Sequence, residues 1–395
     1  MRGSGWSTAG MGRRGFLMSS GAAMLVAACD MPAGGLGRPG PGVDPSRPVQ
    51  VALLVPGGTG DEGRETLARN LENAARLAMA DMQGVQIDLR VLQTGGDAQR
   101  AAQLAAQAVN DGAGIILGPL FSESATAVGN AVAGAGVNVL SFSNNPAAAG
   151  RNVFLLGATF ENTASQLFAY AAEQGKGRVM LITEQNEAGR VAEAAARAAA
   201  SRTSAELVTV QSYAFSQQGV VDALPRISEA ARSSGAQSVF LSAGSEGALP
   251  LLADLLPQNG ISPSDFQYMG LTRWDIPPET MRMRGLQGGW FAVPDPRLAA
   301  QFDSRYAAAY GDAPHPVAGL AYDGMAAIGT LLRQGGSDAL SAARLTQGSG
   351  FIGVNGVFRL RPNGLNERAL AIAEIRDNSR AILRPAPRSF VGAGS

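Results

Sequence analysis

The stretch Gly114–Pro146, GIILGPLFSESATAVGNAVAGAGVNVLSFSNNP, decides how the chain is read. Ile115 to Leu117 is an apolar run too short for a helix and is closed by Gly118-Pro119, so it reads as a buried strand. Ser122 to Val132 is rich in alanine with apolar residues at helical spacing. Val137 to Ser143 is again a short apolar run. Such runs without polar alternation belong to strands buried on both faces, and strand–helix–strand repeats build parallel sheets.

The same alternation extends outward. VQVALLVP (Val49–Pro56) and VQIDLRVLQT read as strands, and RETLARNLENAARLAMADM (Arg64–Met82) and DAQRAAQLAAQAVNDG as helices, the last stopped by Gly112. The pattern then restarts. GRVMLIT, ELVTVQSYAF, QSVFLSA and FQYMG are strands, separated by the helices AGRVAEAAARAAASR, GVVDALPRISEAARSSG and EGALPLLADLLPQNG. GGWFAVPDP (Gly288–Pro296) is a strand leaving this second set, AGLAYDGMAAIGTLLRQGG is a helix, and GVFRLRPNGLNERALAIAEIRD reads as a hairpin with Asn363-Gly364 near its turn. The expected fold is therefore α/β with two doubly wound parallel-sheet lobes. The halves share architecture without visible sequence identity, so they are not an internal repeat.

Composition narrows the function. Lys plus Arg equals Asp plus Glu at 32 each, so the basic footprint that nucleic acid requires is missing. There is one histidine (His315), one lysine (Lys176) and one cysteine (Cys29), which excludes a His/Cys metal cluster and a Cys–His pair. His315 sits between prolines in DAPHPVAG and reads as a solvated loop residue. Lys176, in EQGKGRVM, reads as a turn. No pair of acids stands out in spacing. The chain is expected to be no enzyme and to need no cofactor or metal.

Cys29 closes GRRGFLMSSGAAMLVAACD (Gly12–Asp30). The apolar run Phe16 to Ala28 falls short of the roughly 20 residues of a membrane-spanning helix. Arg13 and Arg14 precede it with Phe16 and Leu17 close behind, the form of a twin-arginine export signal. Val26-Ala27-Ala28-Cys29 resembles a bacterial lipobox, whose cysteine takes a diacylglycerol. The plainer reading makes Cys29 an incidental small hydrophobe. Residues 1–28 are thus expected to be a signal peptide and Cys29 a lipid attachment point. Residues 29–48, rich in Gly and Pro, are expected to be a tether that cannot fold alone.

Several stretches together carry a family resemblance. Gly114–Pro146, MLITEQNEAGR, GLAYDG and GFIGVNGVFRLRPNG, in that order, are similar to segments of type I periplasmic binding proteins of the leucine/isoleucine/valine-binding branch. LTRWDIP and GGWFAVPDP look most like the penicillin-binding-protein activator-like lipoproteins of the same superfamily. The resemblance implies two lobes joined by a three-strand hinge, with ligand in the cleft. Lobe I is expected over 49–158 plus 295–355 and lobe II over 159–294 plus 356–385, with crossings near Gly157–Glu161, Val293–Pro296 and Gly356–Asn363.

Ligands of open α/β sheets sit at the carboxyl ends of the strands. That rule selects Gly57, Gly58, Ser122, Ser124, Ser143 and Asn144 from the first lobe. From the second it selects Glu184, Gln185, Ser245, Glu246, Thr272, Arg273 and Trp274. Helices beginning after Phe121 and Glu246 would offer free N–H groups to an anion. Ser122 reads equally as a helix cap. Arg273 would suit a carboxylate or phosphate, or would pair internally with Asp275 or Glu246. Trp274 would stack on a ring or belong to the core. Amino-acid binders of the family place an acid after the MG strand. Here MGLTRWD puts Arg273 near that place, and SAGSEG has no aromatic, so a standard aliphatic amino-acid site is not expected.

The resemblance implies an exported, lipid-anchored binding protein for a small polar or anionic solute, amino-acid or amide related, serving an ABC transporter permease. The alternative is an activator-like regulator of peptidoglycan synthesis that contacts a cell-wall synthase. Both place the chain at a periplasm-facing membrane, inner or outer.

Overall fold

Residues 42–44 and 46–390 are described by the computed structural model. Arg13, Arg14 and Cys29 lie outside them, and with them the signal and anchor readings. Among the described residues no helix is long and apolar enough to cross a membrane.

The first half builds β1 (Val49–Val55), α1 (Glu62–Ala80), β2 (Ile87–Gln93), α2 (Ala98–Asn110), β3 (Ile115–Leu117), α3 (Ser122–Val132), β4 (Asn138–Ser141) and β5 (Val153–Leu155). These strands form one sheet in the order β2-β1-β3-β4-β5, with every pair parallel. Alternate residues of its central strands face opposite cores. Val51, Leu53, Ile115 and Leu117 pack toward α1, while Ala52, Leu54, Ile116 and Val139 pack toward α2 and α3. Burial on both sides explains the unbroken apolar runs in the sequence.

The second set comprises α4 (Phe160–Glu173), β6 (Arg178–Glu184), α5 (Glu187–Arg202), β7 (Glu206–Tyr213), α6 (Gln217–Ser233), β8 (Ser238–Leu241), α7 (Leu249–Gln258), β9 (Gln267–Gly270) and β10 (Trp290–Val293). The chain then returns to the first lobe with α8 (Pro296–Tyr310) and α9 (Ala318–Gln334), where Phe302, Tyr306, Met325 and Ile328 join the α1 core. A short helix α10 (Ala342–Leu345) precedes β11 (Phe351–Gly353), β12 (Gly356–Leu360) and β13 (Asn366–Arg368), a small antiparallel sheet of its own. Finally β14 (Ala371–Arg376) and β15 (Ser379–Arg384) complete the second sheet as antiparallel edge strands, in the order β15-β14-β10-β9-β8-β6-β7. The two parallel-sheet lobes are those expected. Helices α4 and α8, which the patterning did not single out, open directly on two of the crossings, capped by Thr159 and Asp295.

Three passages between the lobes run side by side. Leu155 N–H donates to Gly364 O at 2.8 Å, Asp295 N–H to Asn355 O at 3.3 Å, and Ala369 N–H to Val357 O at 2.9 Å. Phe358 and Leu360 of β12 belong to the first lobe's core, whereas Leu370 and Ile372 belong to the second's. We therefore set the third passage at Arg368–Leu370, beyond the Gly356–Asn363 expected from the sequence. The tether reading also needs adjustment at its end. Val43 is buried in the first lobe's core and its N–H donates to Ser337 O at 2.9 Å.

Candidate functional site

A cavity of about 420 Å³ lies where the lobes meet. That volume is in the range of small-molecule sites. The first lobe contributes Leu120, Phe142, Ser143, Asn144, Val317 and Leu320; the second contributes Phe160, Thr163, Leu271, Thr272, Arg273 and Ala292. Arg368 and Leu370 line it from the third passage, and Asn355 from the turn between β11 and β12. The walls are mainly apolar, and none of the lining residues is Asp or Glu.

Ser143, Asn144, Thr272 and Arg273 thus stand where the strand-end rule expects them. Ser143 follows β4, and its Oγ accepts the Asn145 N–H at 3.1 Å, so its own proton is not committed there. Gly157 is forced small at this wall, because a Cβ would fall 2.7 Å from Ser143 O and 2.9 Å from Asn144 Cβ. Thr272 follows β9, and its Oγ1 is buried with no protein partner.

Arg273 is committed elsewhere. Its Nε donates to Asp275 Oδ1 at 2.8 Å and its Nη2 to Asp275 Oδ2 at 2.7 Å. Arg380 Nη1 reaches the same Oδ2 at 2.6 Å. Burial opposes ionisation of Asp275, but the hydrogen bonds and charge of Arg273, then of Arg380, prevail and hold it below the usual carboxylate range. Arg273 also lines a neighbouring cavity of about 230 Å³ with Asp303, His315 and Arg380. Burial raises the Asp303 carboxyl, against the pull of Arg273. His315 is exposed, as expected, and accepts the Val317 N–H on Nδ1 at 3.3 Å.

The other sequence candidates lie off the cavity. Gly58 N–H donates to Glu65 Oε1 at 2.7 Å, and Thr59 and Gly60 donate to the same oxygen, so this loop's anion site is filled by the chain's own carboxylate. Those three backbone bonds hold the Glu65 carboxyl below its ordinary range. Ser122 is not the cap of α3. Phe121 holds that position without a side-chain bond, and Ser122 Oγ meets Asn145 Nδ2 at 3.5 Å. Ser124 is buried on α3 with its Oγ unpartnered, but it does not line the cavity. Glu184 accepts the Tyr213 hydroxyl at 3.4 Å, and Ser245 donates to Ile276 O at 3.3 Å. Helix α7 begins only at Leu249, so Glu246 does not start it.

Trp274 is a core residue. It is fully buried, 6.2 Å from Phe291 between ring centroids. Gly270 and Gly289 cradle the indole, where a Cβ would approach it to 2.3 Å and 2.5 Å.

Sequence reading missed Arg368. Its side chain is 2% exposed and held on several sides. Nε donates to Leu156 O at 2.6 Å, Nη1 pairs with Asp323 Oδ2 at 2.9 Å, and the guanidinium lies 4.7 Å from the centroid of the Phe358 ring. Nη2 is buried with no protein partner. A buried donor in that state costs roughly 1–3 kcal/mol, more when charged. Around it, Asn366 Nδ2 donates to Leu155 O and Gly157 O at 2.8 Å each, and Asn162 Nδ2 donates to Asn366 Oδ1 at 2.7 Å. The passages between the lobes are thus tied by a buried polar network opening on the cavity wall. The only signal in the sequence was an arginine in NERALAIA, between a turn and an apolar strand. Among the described residues no three His, Cys, Asp or Glu cluster as a metal site.

Two parallel-sheet lobes, side-by-side passages and an apolar-walled cavity between them define a two-lobed binding protein. The chain belongs to the periplasmic binding protein family, whose profile matches residues 48–380. This is a family of binding proteins rather than enzymes. No curated protein matches the sequence. Among solved structures, the chain is similar to a Rhodospirillum rubrum protein described as a candidate branched-chain amino acid ABC transporter. That pair shares 18% identity at a TM-score of 0.71, over 85% of this chain and 100% of the other. A substrate-binding protein of Desulfitobacterium hafniense in complex with Leu gives 19% identity and a TM-score of 0.63, over 85% and 100%. A solute-binding protein of R. palustris in complex with benzoate gives 18% identity and a TM-score of 0.56, over 86% and 98%. At these identities the likeness is one of fold.

Proposed function

We propose that the chain is the solute-binding component of an ABC transporter, working in the periplasm. Its solute is small and largely apolar, with a polar or anionic end, and is held between the lobes. Ser143, Asn144, Thr272, Arg273, Asn355 and Arg368 form the polar part of the site. The observation that carries this reading is the 420 Å³ cavity, walled by residues of both lobes. Transport work by the similar solved proteins supports it. A thermal-shift panel of amino acids, carboxylic acids, amides and muropeptides tests it. A solute at 100 times its Kd adds about 2.7 kcal/mol of stability. If no small solute shifts the melting temperature and the chain instead captures a cell-wall synthase, the transport reading gives way to the regulator reading.

We further propose that Cys29 anchors the body to the membrane, on the strength of the twin-arginine and lipobox-like residues. Cys29→Ser should move the protein from the membrane fraction to the soluble one. Retention equal to the wild type would refute the anchor.

A further inference from the structure

We infer that Asp303 is a positioning residue of the solute site: it is the first lobe's counter-charge to Arg273 and Arg380 of the second, and pairing with them draws the lobes together over the solute. This rests on the solute-binding reading above for what closure achieves, while the pairing itself needs no solute. The 230 Å³ crevice beside the solute cavity has walls from both lobes. Asp303 lines it from α8, and Arg273 and Arg380 line it from the second lobe, after β9 and on β15. Pro294 of the second passage belongs to the same lining, as does Asn355, whose carbonyl accepts the Asp295 N–H of that passage. The two walls are therefore tied where the chain crosses between lobes and are free to approach elsewhere, by the hinge motion that is the default for two domains so joined.

The second-lobe wall holds more positive charge than it neutralises. Arg273 and Arg380 share the one carboxylate of Asp275, whose Oδ2 lies 2.7 Å and 2.6 Å from them. One positive charge is left over, on two guanidinium groups that are still partly exposed. On the first-lobe wall, Asp303 has neither a hydrogen bond nor an ion pair among the described residues. Burial raises its carboxyl, and the charge of Arg273 opposes that rise. His315, the other titratable side chain of the first-lobe wall, adds no cation near neutral pH: partial burial lowers its imidazole, and Nδ1 accepts the Val317 N–H. One free carboxylate on one lobe thus stands against one spare positive charge on the other. A pair formed in a narrowing crevice sheds water and outweighs the same pair on an open surface. The solute cavity shares Arg273, Ile276, Pro294, Pro316 and Asn355 with the crevice, so narrowing one narrows the other.

The test measures the distance between the lobes without added solute. Nitroxides are placed by Thr126→Cys and Ala188→Cys, exposed positions near the starts of α3 and α5, in a Cys29→Ser protein that has no other cysteine. Electron–electron dipolar spectroscopy then reads the distance distribution for Asp303, Asp303→Asn, Asp303→Lys and Asp303→Glu. Ser304→Lys is the control, because Ser304 neighbours Asp303 but lines a different cavity. The expected result is a short-distance and a long-distance population. Their ratio, short to long, falls at least about threefold in Asp303→Asn, falls further in Asp303→Lys, stays near the wild type in Asp303→Glu and does not move in Ser304→Lys. A distribution that Asp303→Asn and Asp303→Lys leave unchanged, or that Ser304→Lys moves equally, overturns the inference whether or not the thermal-shift panel yields a solute. A distribution that follows the charge at residue 303, with no solute found in the panel, upholds the pairing and overturns only the solute-binding reading.

Discussion

Replacing Asp323 by Asn removes the carboxylate that, among the described residues, is the one ion-pair partner of the buried Arg368. The two side chains are 2% and 0% exposed, with Nη1 and Oδ2 2.9 Å apart. Asp323 also accepts Val354 N–H at 2.7 Å and Asn355 Nδ2 at 3.1 Å, an approach open only because residue 353 is glycine, whose added Cβ would fall 2.0 Å from Oδ1. Asparagine can keep the backbone bond but not the charge. Breaking a buried pair from one side typically costs about 3–5 kcal/mol, because an uncompensated charge stays behind. Arg368→Met should cost a similar amount, about 3–5 kcal/mol, from the carboxylate side. The double variant leaves no buried charge, so its loss should fall short of the sum by about 2–3 kcal/mol. Urea unfolding without added solute, followed by the fluorescence of the buried Trp274 and Trp290, gives all four corners of the cycle. Single losses below about 1 kcal/mol, or strictly additive ones, would refute the claim that this pair locks the third passage to α9.

Trp274→Ala should destabilise the second lobe by about 3–5 kcal/mol in urea unfolding, and Gly270→Ala by about 1–3 kcal/mol through overpacking against the indole. A Trp274 variant with native stability but altered solute binding would return that residue to the cleft. The depressed Asp275 carboxyl contributes stability that is fully present above its unfolded pKa of about 3.9 and lost as pH falls through the lower folded value. Unfolding measured from pH 5 downward should therefore show a shallower acid loss in Asp275→Asn, from a lower starting stability; an unchanged acid limb would contradict the Arg273–Asp275–Arg380 cluster.

The strand-end rule selected Ser143, Asn144, Thr272 and Arg273, which line the cavity, because each comes soon after its strand and a parallel sheet puts those ends on one side. It failed where a distant residue decides. Gly58 has the right position, but Glu65, a turn away on α1, already fills the loop. Trp274 has the right position too. Its indole turns inward because Gly270 and Gly289, far apart in sequence, meet around it. Arg368 could not be placed at all from local pattern. Its role depends on the chain returning a third time between the lobes, which brings it against Leu156 and Asp323, and no short window of sequence contains that juxtaposition. The lobes themselves were legible for the opposite reason. Burial on both faces of each sheet writes itself into the central strands as apolar runs, while the edge strands β2, β7 and β15 stay mixed.

The central claim is that a small solute occupies the cavity between the lobes. Leu320 lines that cavity on α9 and takes no part in the polar network, and the 420 Å³ beside it has room for an indole. The direct measurement is isothermal titration of the wild type and Leu320→Trp with the solute that most raises the melting temperature. The account predicts one site per chain in the wild type and at least a hundredfold weaker binding in a Leu320→Trp protein of native melting temperature. Unchanged affinity in that folded variant would place the solute elsewhere and contradict the account.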